Sequence, residues 1–233
     1  MSAFFRNISK KPIQQKMKEL KFIAQQLRKP AGDFAAAIAE KMNEGNKSLY
    51  NLTFSSMNLS DGDRVLEIGF GNGFHFKEFF SLKKNLTLHG IDYSKEMVNQ
   101  ATAGNMAFIK SGRLFLTKGS SNKMPYKDET FDKVFCNMVI YFWEDPEKHL
   151  KEIQRVLNPA GRFYTGMRTR QSMRELPFTQ FGFNLYTVEE WKSILEHNKF
   201  KVDDTRCKMD PGFEENGKKV HLKSVSISAE KII

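Results

Sequence analysis

Between Val65 and Gly73 the chain reads Val-Leu-Glu-Ile-Gly-Phe-Gly-Asn-Gly, and this stretch narrows the possible folds more than any other. Arg64 to Ile68 reads as a buried strand. The three glycines that follow, spaced by two, let the backbone turn tightly and let a ligand approach with no Cβ in the way. Phe74 to Ser81 then reads as a helix.

A strand, a glycine turn and a helix open an α/β unit, and the rhythm continues along the chain. Further strands are expected over Leu86 to Ile91, Leu114 to Thr117, Lys133 to Asn137 and Arg162 to Gly166. Helices are expected from Ser94 to about Ala103, with Ser94 as cap, and from Pro146 to Leu157, closed by the Asn158-Pro159-Ala160-Gly161 turn. Parallel strands need right-handed crossovers, so helices should cover both faces of the sheet. After a helix over Thr187 to His197, the runs Val202 to Met209 and Val220 to Ala229 are separated by Asp210-Pro211-Gly212 and Asn216-Gly217. Two such runs favour an antiparallel hairpin at one edge, for seven strands in a mixed sheet.

Ahead of this region, Ile13, Met17, Leu20, Ala24 and Leu27 make an apolar helical stripe over residues 13–28 that Pro30 and Gly32 stop. A second helix is expected from an Asp33 cap through about Met42, and a third from Ser48 through about Met57 after a break at Asn43 to Lys47. The expected division is an N-terminal helical extension over 1–58, acting as a lid, and one α/β domain over 59–233 with an insert at about 168–186.

At 233 residues, one domain is the default. No apolar run approaches the ~18 residues of a membrane-spanning helix. Met1 to Lys11 lacks the apolar core of a secretion signal. Two cysteines, Cys136 and Cys207, suit a reducing compartment, so a cytoplasmic location is expected. The net charge of +10 suggests an anionic partner, nucleic acid or a lipid surface. Eight basic residues against Glu19 give +7 within Met1 to Pro30, and the other 203 residues carry only +3. Basicity is therefore an N-terminal property.

The glycine spacing is G-x-G-x-G, and Phe74 stands where a dinucleotide fingerprint needs its third glycine. Glu67 before the turn would repel a pyrophosphate and welcome an ammonium. Asp92, 19 residues after Gly73 at the end of the next strand, can accept both hydroxyls of a ribose, or serve as a capping carboxylate. Tyr93 beside it can lie against a purine. A third block, Gly119-Ser120-Ser121-Asn122-Lys123-Met124-Pro125-Tyr126, precedes Phe131-Asp132-Lys133-Val134 and Leu157-Asn158-Pro159-Ala160-Gly161-Arg162.

In order, spacing and strand context these blocks resemble the class I S-adenosylmethionine-dependent methyltransferases. The resemblance is greatest to the small-molecule branch that includes ubiquinone- and menaquinone-biosynthesis-type enzymes, and it covers about Asp61 to Gly166. It implies a Rossmann-like fold, S-adenosyl-L-methionine as cofactor, S-adenosyl-L-homocysteine as product, and no metal. It further implies that Gly69, Gly71 and Gly73 shape the cofactor turn, with Glu67 near the methionine ammonium. Asp92 would hold the ribose, Tyr93 and Met97 would border the adenine, and Asn137 would pass the methionine portion. Members of the family usually carry an acid after the glycine of the third block, bonded to the adenine amino group. Here Ser120 and Ser121 stand in its place.

Methyl transfer asks the protein mainly to align acceptor, methyl and sulfur and to exclude water, and the sequence identifies no general base. Tyr50, His75, Tyr141, Phe142 and Trp143 are candidates for the acceptor side. Tyr141 to Trp143 also read as packing aromatics, and His75 as a surface or capping residue. The five histidines show no metal-ligand spacing. The insert from Arg168 to Tyr186 mixes Arg168, Arg170 and Arg174 with Phe178, Phe181, Phe183 and Tyr186. It suits an anionic aromatic or lipid-like acceptor, stacked bases, or a plain covering loop. The expected function is methyl transfer to a small molecule. The alternatives are an RNA methyltransferase, for which no Asn/Asp-Pro-Pro-aromatic block is present, and a non-catalytic cofactor-binding protein held at a membrane by the basic first helix.

Overall fold

A computed structural model describes residues 12–215 and 218–232. The expectations for Met1 to Lys11, including the charges of Arg6, Lys10 and Lys11, and for the Asn216-Gly217 turn lie outside the described residues.

The centre is a seven-stranded sheet in the order β3-β2-β1-β4-β5-β9-β6. Its strands are β1 (Arg64–Ile68), β2 (Thr87–Asp92), β3 (Leu114–Lys118), β4 (Phe131–Asn137), β5 (Leu157–Arg168), β6 (Phe200–Met209) and β9 (Lys223–Lys231). The first five pair in parallel, and β9 runs antiparallel to both β5 and β6. The chain lays β2 and β3 on one side of β1, then crosses to lay β4 and β5 on the other. At that reversal the carboxyl ends of β1 and β4 part, which leaves a crevice.

Alternation along the strands sorts the core into two layers. Leu66, Val134 and Phe163 pack on one face with Leu150 and Ile153 of α6 (Pro146–Val156) and Trp191 of α8 (Val188–His197). Val65, Phe135 and Tyr164 pack on the other with Tyr50 and Phe54 of α2 (Ala35–Ser56) and Phe76 and Phe79 of α3 (Phe76–Ser81). The remaining helices are α1 (Ile13–Arg28), α4 (Lys95–Gly104), α5 (Met106–Lys110) and α7 (Arg170–Arg174). The Ser94 side chain caps α4 at the Met97 N–H, and Thr187 and Glu190 form a reciprocal capping box on α8. No helix among the described residues is long and apolar enough to cross a membrane.

Three expectations are corrected. The second and third helices are one, α2, running unbroken through Asn43 to Lys47, and Asp33 lies in a 3-10 turn before it without capping it. A glycine inside a helix costs about 1 kcal/mol relative to alanine, but here tertiary bonds offset it: Arg168 donates to the Gly45 carbonyl at 2.5 Å and to Asn46 Oδ1 at 3.1 Å. The expected strand over Val220 to Ala229 is divided, with β8 (Lys218–Val220) pairing antiparallel to β7 (Phe213–Glu215) in a separate hairpin and β9 (Lys223–Lys231) in the main sheet. Finally, β5 begins early because Leu157 pairs with Phe131 ahead of a bulge.

Arg168, 1% exposed, also binds the buried Asp210 at 2.8 Å, and Asp210 accepts from Ser224 at 2.7 Å. One guanidinium thereby joins β5, α2 and the segment after β6. Arg168→Ala would leave the Asp210 charge buried and unpaired, and it should cost about 3–5 kcal/mol of stability in urea unfolding. A loss below about 1 kcal/mol would show that water reaches the site and replaces the guanidinium.

Candidate functional site

The glycine turn after β1 lies at the crevice with φ values of +71° at Gly69, +58° at Gly71 and +70° at Gly73. A side chain is excluded for different reasons at different points. A Cβ on Gly69 would come within 2.4 Å of Val139, and one on Gly73 within 2.5 Å of Phe76, whereas Gly71 faces open space. Gly71 is thus the point at which the bare backbone meets the cavity.

Asp92, at the end of β2, holds the turn in place. One carboxylate oxygen accepts from the Gly71 N–H at 3.0 Å and the other from the Ser94 N–H at 2.8 Å. Burial pushes this carboxyl up to about 6 against the pull of those two bonds. Glu67 lies one layer deeper, 2% exposed, and accepts from the Tyr50 hydroxyl at 2.7 Å. Burial pushes it up to about 8, with the Asp92 charge adding to the rise and the Tyr50 bond opposing it. Two buried acids side by side, with no cation bonded to either among the described residues, make a region that suits a positively charged guest.

The cavity, about 360 Å³, runs along the ends of β3, β2, β1 and β4. At the β4 end, Asn137 accepts from Thr53 at 2.7 Å, while its Nδ2 is buried without a hydrogen-bond partner. A Cβ on Gly166 would collide with this amide, so the glycine in β5 leaves room for it. At the β3 end, Ser121 Oγ lies 2.7 Å from His149 Nδ1, and the His149 ring stacks on Trp143 with 4.6 Å between centroids. Over the mouth passes the end of α1. Ser94 donates to the Pro30 carbonyl at 2.7 Å, the Tyr93 hydroxyl donates to the Arg28 carbonyl, and Arg28 reaches Glu144 at 2.9 Å.

Of the residues expected to hold a cofactor, Gly69, Gly71, Asp92, Tyr93, Met97, Ser120, Ser121 and Asn137 line this cavity. Glu67 and Gly73 stand behind the lining. Among the acceptor-side candidates, Phe142 and Trp143 line it. Tyr141 is fully buried and braces β5, donating to the Arg168 carbonyl at 2.7 Å and accepting from its N–H at 2.6 Å. Tyr50 and His75 stack on each other at 3.8 Å beneath Glu67, and burial lowers His75 to about 4, leaving a neutral ring. Arg28, Pro30, Met42, Asp145 and His149 line the cavity without having been expected there. Arg28, Pro30 and Met42 belong to the extension expected as a lid, though none of them was singled out as lining the cavity. Asp145 and His149 come from the start of α6, which the fold brings to the crevice.

A second, narrower space adjoins the first and shares Leu27, Met42, Met138 and Phe142 with it. It lies between α1, α2 and the insert, walled by Ile23, Ile38, Met173, Leu176, Phe178 and Phe183, with Lys41, Asn46 and Arg168 as its polar groups. The arginines expected to meet an anion are largely committed. Arg168 binds Asp210, and Arg170 binds Glu190 and the Leu185 carbonyl. Among the described residues no cluster of three metal-ligating side chains occurs.

These features fit S-adenosylmethionine: a Cβ-free approach at Gly71, paired acceptors at Asp92, unpaired acids for a cation, and the free amide donor of Asn137 for a carboxylate. Comparison with known proteins points the same way. The Methyltransferase domain family matches residues 66–165. YrhH of Bacillus subtilis (strain 168), a protein assigned to the methyltransferases, is 34% identical over 134 residues, 58% of this chain and 73% of that one. A tRNA U34 carboxymethyltransferase from Campylobacter curvus (strain 525.92) is 34% identical over 169 residues, 67% of this chain and 55% of that one. In fold, the chain superposes with a TM-score of 0.72 on a solved complex of the Haloferax volcanii Trm112 methyltransferase activator with a protein assigned to the methyltransferases, at 20% identity, covering 83% of this chain and 95% of that one.

A carboxyl whose pKa is raised by folding keeps its proton longer in the folded chain, so its contribution to stability is present at low pH and lost as pH rises. For Glu67 that loss runs from its ordinary 4.5 to about 8. Urea unfolding at about pH 5.5 and about pH 8.5 should show the ligand-free protein weakening with pH, and Glu67→Gln weakening by at least about 1.4 kcal/mol less, the worth of one pKa unit. Equal losses in both proteins would remove Glu67 as the source.

Proposed function

The chain belongs to the class I S-adenosylmethionine-dependent methyltransferases, and on that premise we propose that it methylates a small, largely apolar acceptor held beneath α1, α2 and the insert. The observation that carries this reading is the apolar chamber that shares its inner wall, Leu27, Met42, Met138 and Phe142, with the cofactor cavity. When bound, the cofactor supplies a methyl group already activated on a sulfonium.

The chain supplies placement. Gly71 admits the ligand to the backbone, Asp92 accepts the ribose hydroxyls, and Asn137 Nδ2 donates to the amino-acid carboxylate. Glu67 lies behind the turn, a buried acid whose ionised form a bound ammonium would stabilise through the dipoles between them. Met97 and Tyr93 border the base, and Phe142 separates the two compartments at the point of transfer. The helices over 13–56 and the insert at 168–186 act as the lid that excludes water, which strengthens each of these polar contacts. No histidine or carboxylate lines the chamber among the described residues, which favours an acceptor that is nucleophilic without a base from its walls.

A second reading, transfer to RNA, draws on the basic α1 and on the name of the Campylobacter relative. Labelled methyl transfer from S-adenosylmethionine into fractionated cell extract separates the two readings. Label in the solvent-extractable fraction supports the small apolar acceptor, and label confined to RNA overturns it. Calorimetry tests the cofactor site: Asp92→Ala should weaken S-adenosylhomocysteine binding at least about tenfold, the effect of losing about 1.4 kcal/mol. Equal binding by parent and variant would defeat the assignment.

A further inference from the structure

We propose that the outward face of α1 seats the protein on an anionic lipid bilayer, with Lys18, Lys21 and Lys29 meeting the headgroups and Phe22 and Phe34 entering between them. This goes beyond the methyl-transfer reading, which sets no outer surface of the chain against a partner.

At 3.6 residues per turn, Lys18, Lys21, Phe22, Gln25 and Lys29 fall within about 100° of arc around α1, and each is exposed. Leu20, Ile23 and Ala24 fall on the opposite side and pack into the main core. Solvent alone accounts for lysines on such an arc, but not for the aromatic rings among them. Phe22 is 38% exposed and meets Phe34, 52% exposed, edge to face at 5.3 Å. Lys29 Nζ lies 5.3 Å from the centre of the Tyr93 ring, itself part-exposed. Cations and rings share one surface, an arrangement suited to a membrane interface, where rings sit at headgroup depth and ammonium groups meet phosphates.

Charge complementarity names the partner's sign. Of the net +10, +7 lies within Met1 to Pro30, so a negatively charged plane attracts the protein by this end first. The acid of α1, Glu19, falls off the arc that carries the three lysines, while Asp33 adjoins Phe34 and Arg28 is paired with Glu144. The apolar side chains favour lipid over nucleic acid. Met17, beside the arc, and Ile13, one turn before it, are 50% and 78% exposed. Aliphatic groups gain from hydrocarbon and nothing from a phosphate backbone. Behind the arc, Ile23 and Leu27 of the same helix wall the apolar chamber. A bilayer seated on α1 therefore lies one helix away from the space proposed for an apolar acceptor.

The experiment is co-sedimentation of the full chain with vesicles, either phosphatidylcholine alone or phosphatidylcholine and phosphatidylglycerol in equal parts, at about 0.1 M and about 0.5 M salt. The parent should sediment with the anionic vesicles at the lower salt, stay in solution with the neutral ones, and bind less at the higher salt. Lys18→Gln combined with Lys21→Gln should weaken binding at least about tenfold, since each lysine near an anionic surface contributes about fivefold. Phe22→Ser should weaken it at least about threefold. None of these side chains lines either cavity, so both variants should melt with the parent and bind S-adenosylhomocysteine as it does, which reports the cofactor reading separately. A parent left in solution with anionic vesicles, or either variant sedimenting as the parent does, overturns the proposal. So does single-stranded RNA that, at matched charge, strips the parent from the vesicles completely, which would give the surface to nucleic acid.

Discussion

The carboxylate of Asp92 is the joint on which the site depends. Its two oxygens are taken by backbone N–H groups of two different segments, Gly71 from the turn after β1 and Ser94 from the start of α4. An ion or water could satisfy either N–H separately, but only a single short side chain at the end of β2 holds both at once. Burial raises its pKa to about 6, and the cavity opens beside it. A carboxylate that spends itself on two backbone donors still has lone pairs for further donors. The residue that builds the turn can therefore also receive a ligand.

The covering of the crevice rests on different physics. Leu20, Ile23 and Ala24 of α1 are each 3% exposed and pack into the main core, so the helix is held by apolar burial along its length. The polar ties at its end, Arg28 with Glu144 and Tyr93 with the Arg28 carbonyl, are exposed, and exposed ion pairs contribute about 0–1 kcal/mol. Just past the end of the helix the Ser94 hydroxyl adds a buried bond to the Pro30 carbonyl at 2.7 Å, so the segment over the cavity is tied by buried and exposed contacts together. The insert is anchored by buried groups as well, with Arg168 binding Asp210 and the Tyr141 hydroxyl bonded to both the N–H and the carbonyl of Arg168.

Much of this was legible from residue order because the features concerned are local. The φ > 0 positions at Gly69, Gly71 and Gly73 follow from the absence of a Cβ, and the strand before them from its run of apolar residues. The register that places Asp92 at the end of β2 needed only the spacing from the turn. The helix break at Asn43 to Lys47 was misread because intrinsic propensity is a weak term, of the same size as the bonds Arg168 makes to Gly45 and Asn46 from more than a hundred residues away. His149 was passed over for the same kind of reason. A lone histidine on an amphipathic helix carries no signal until folding brings it against Ser121 and Trp143.

By itself the sequence determined most of the order of strands and helices, the glycine turn, the carboxylate at the end of β2 and the family to which they point, since each depends on backbone conformation over a few residues. Tertiary structure alone decided which side chains meet at the crevice. Glu67 was turned into the core layer against Tyr50, His149 and Arg28 were carried to the cavity wall, and a chamber was closed between α1, α2 and the insert. Those outcomes depend on contacts between segments far apart in the chain, and no local pattern encodes such distances.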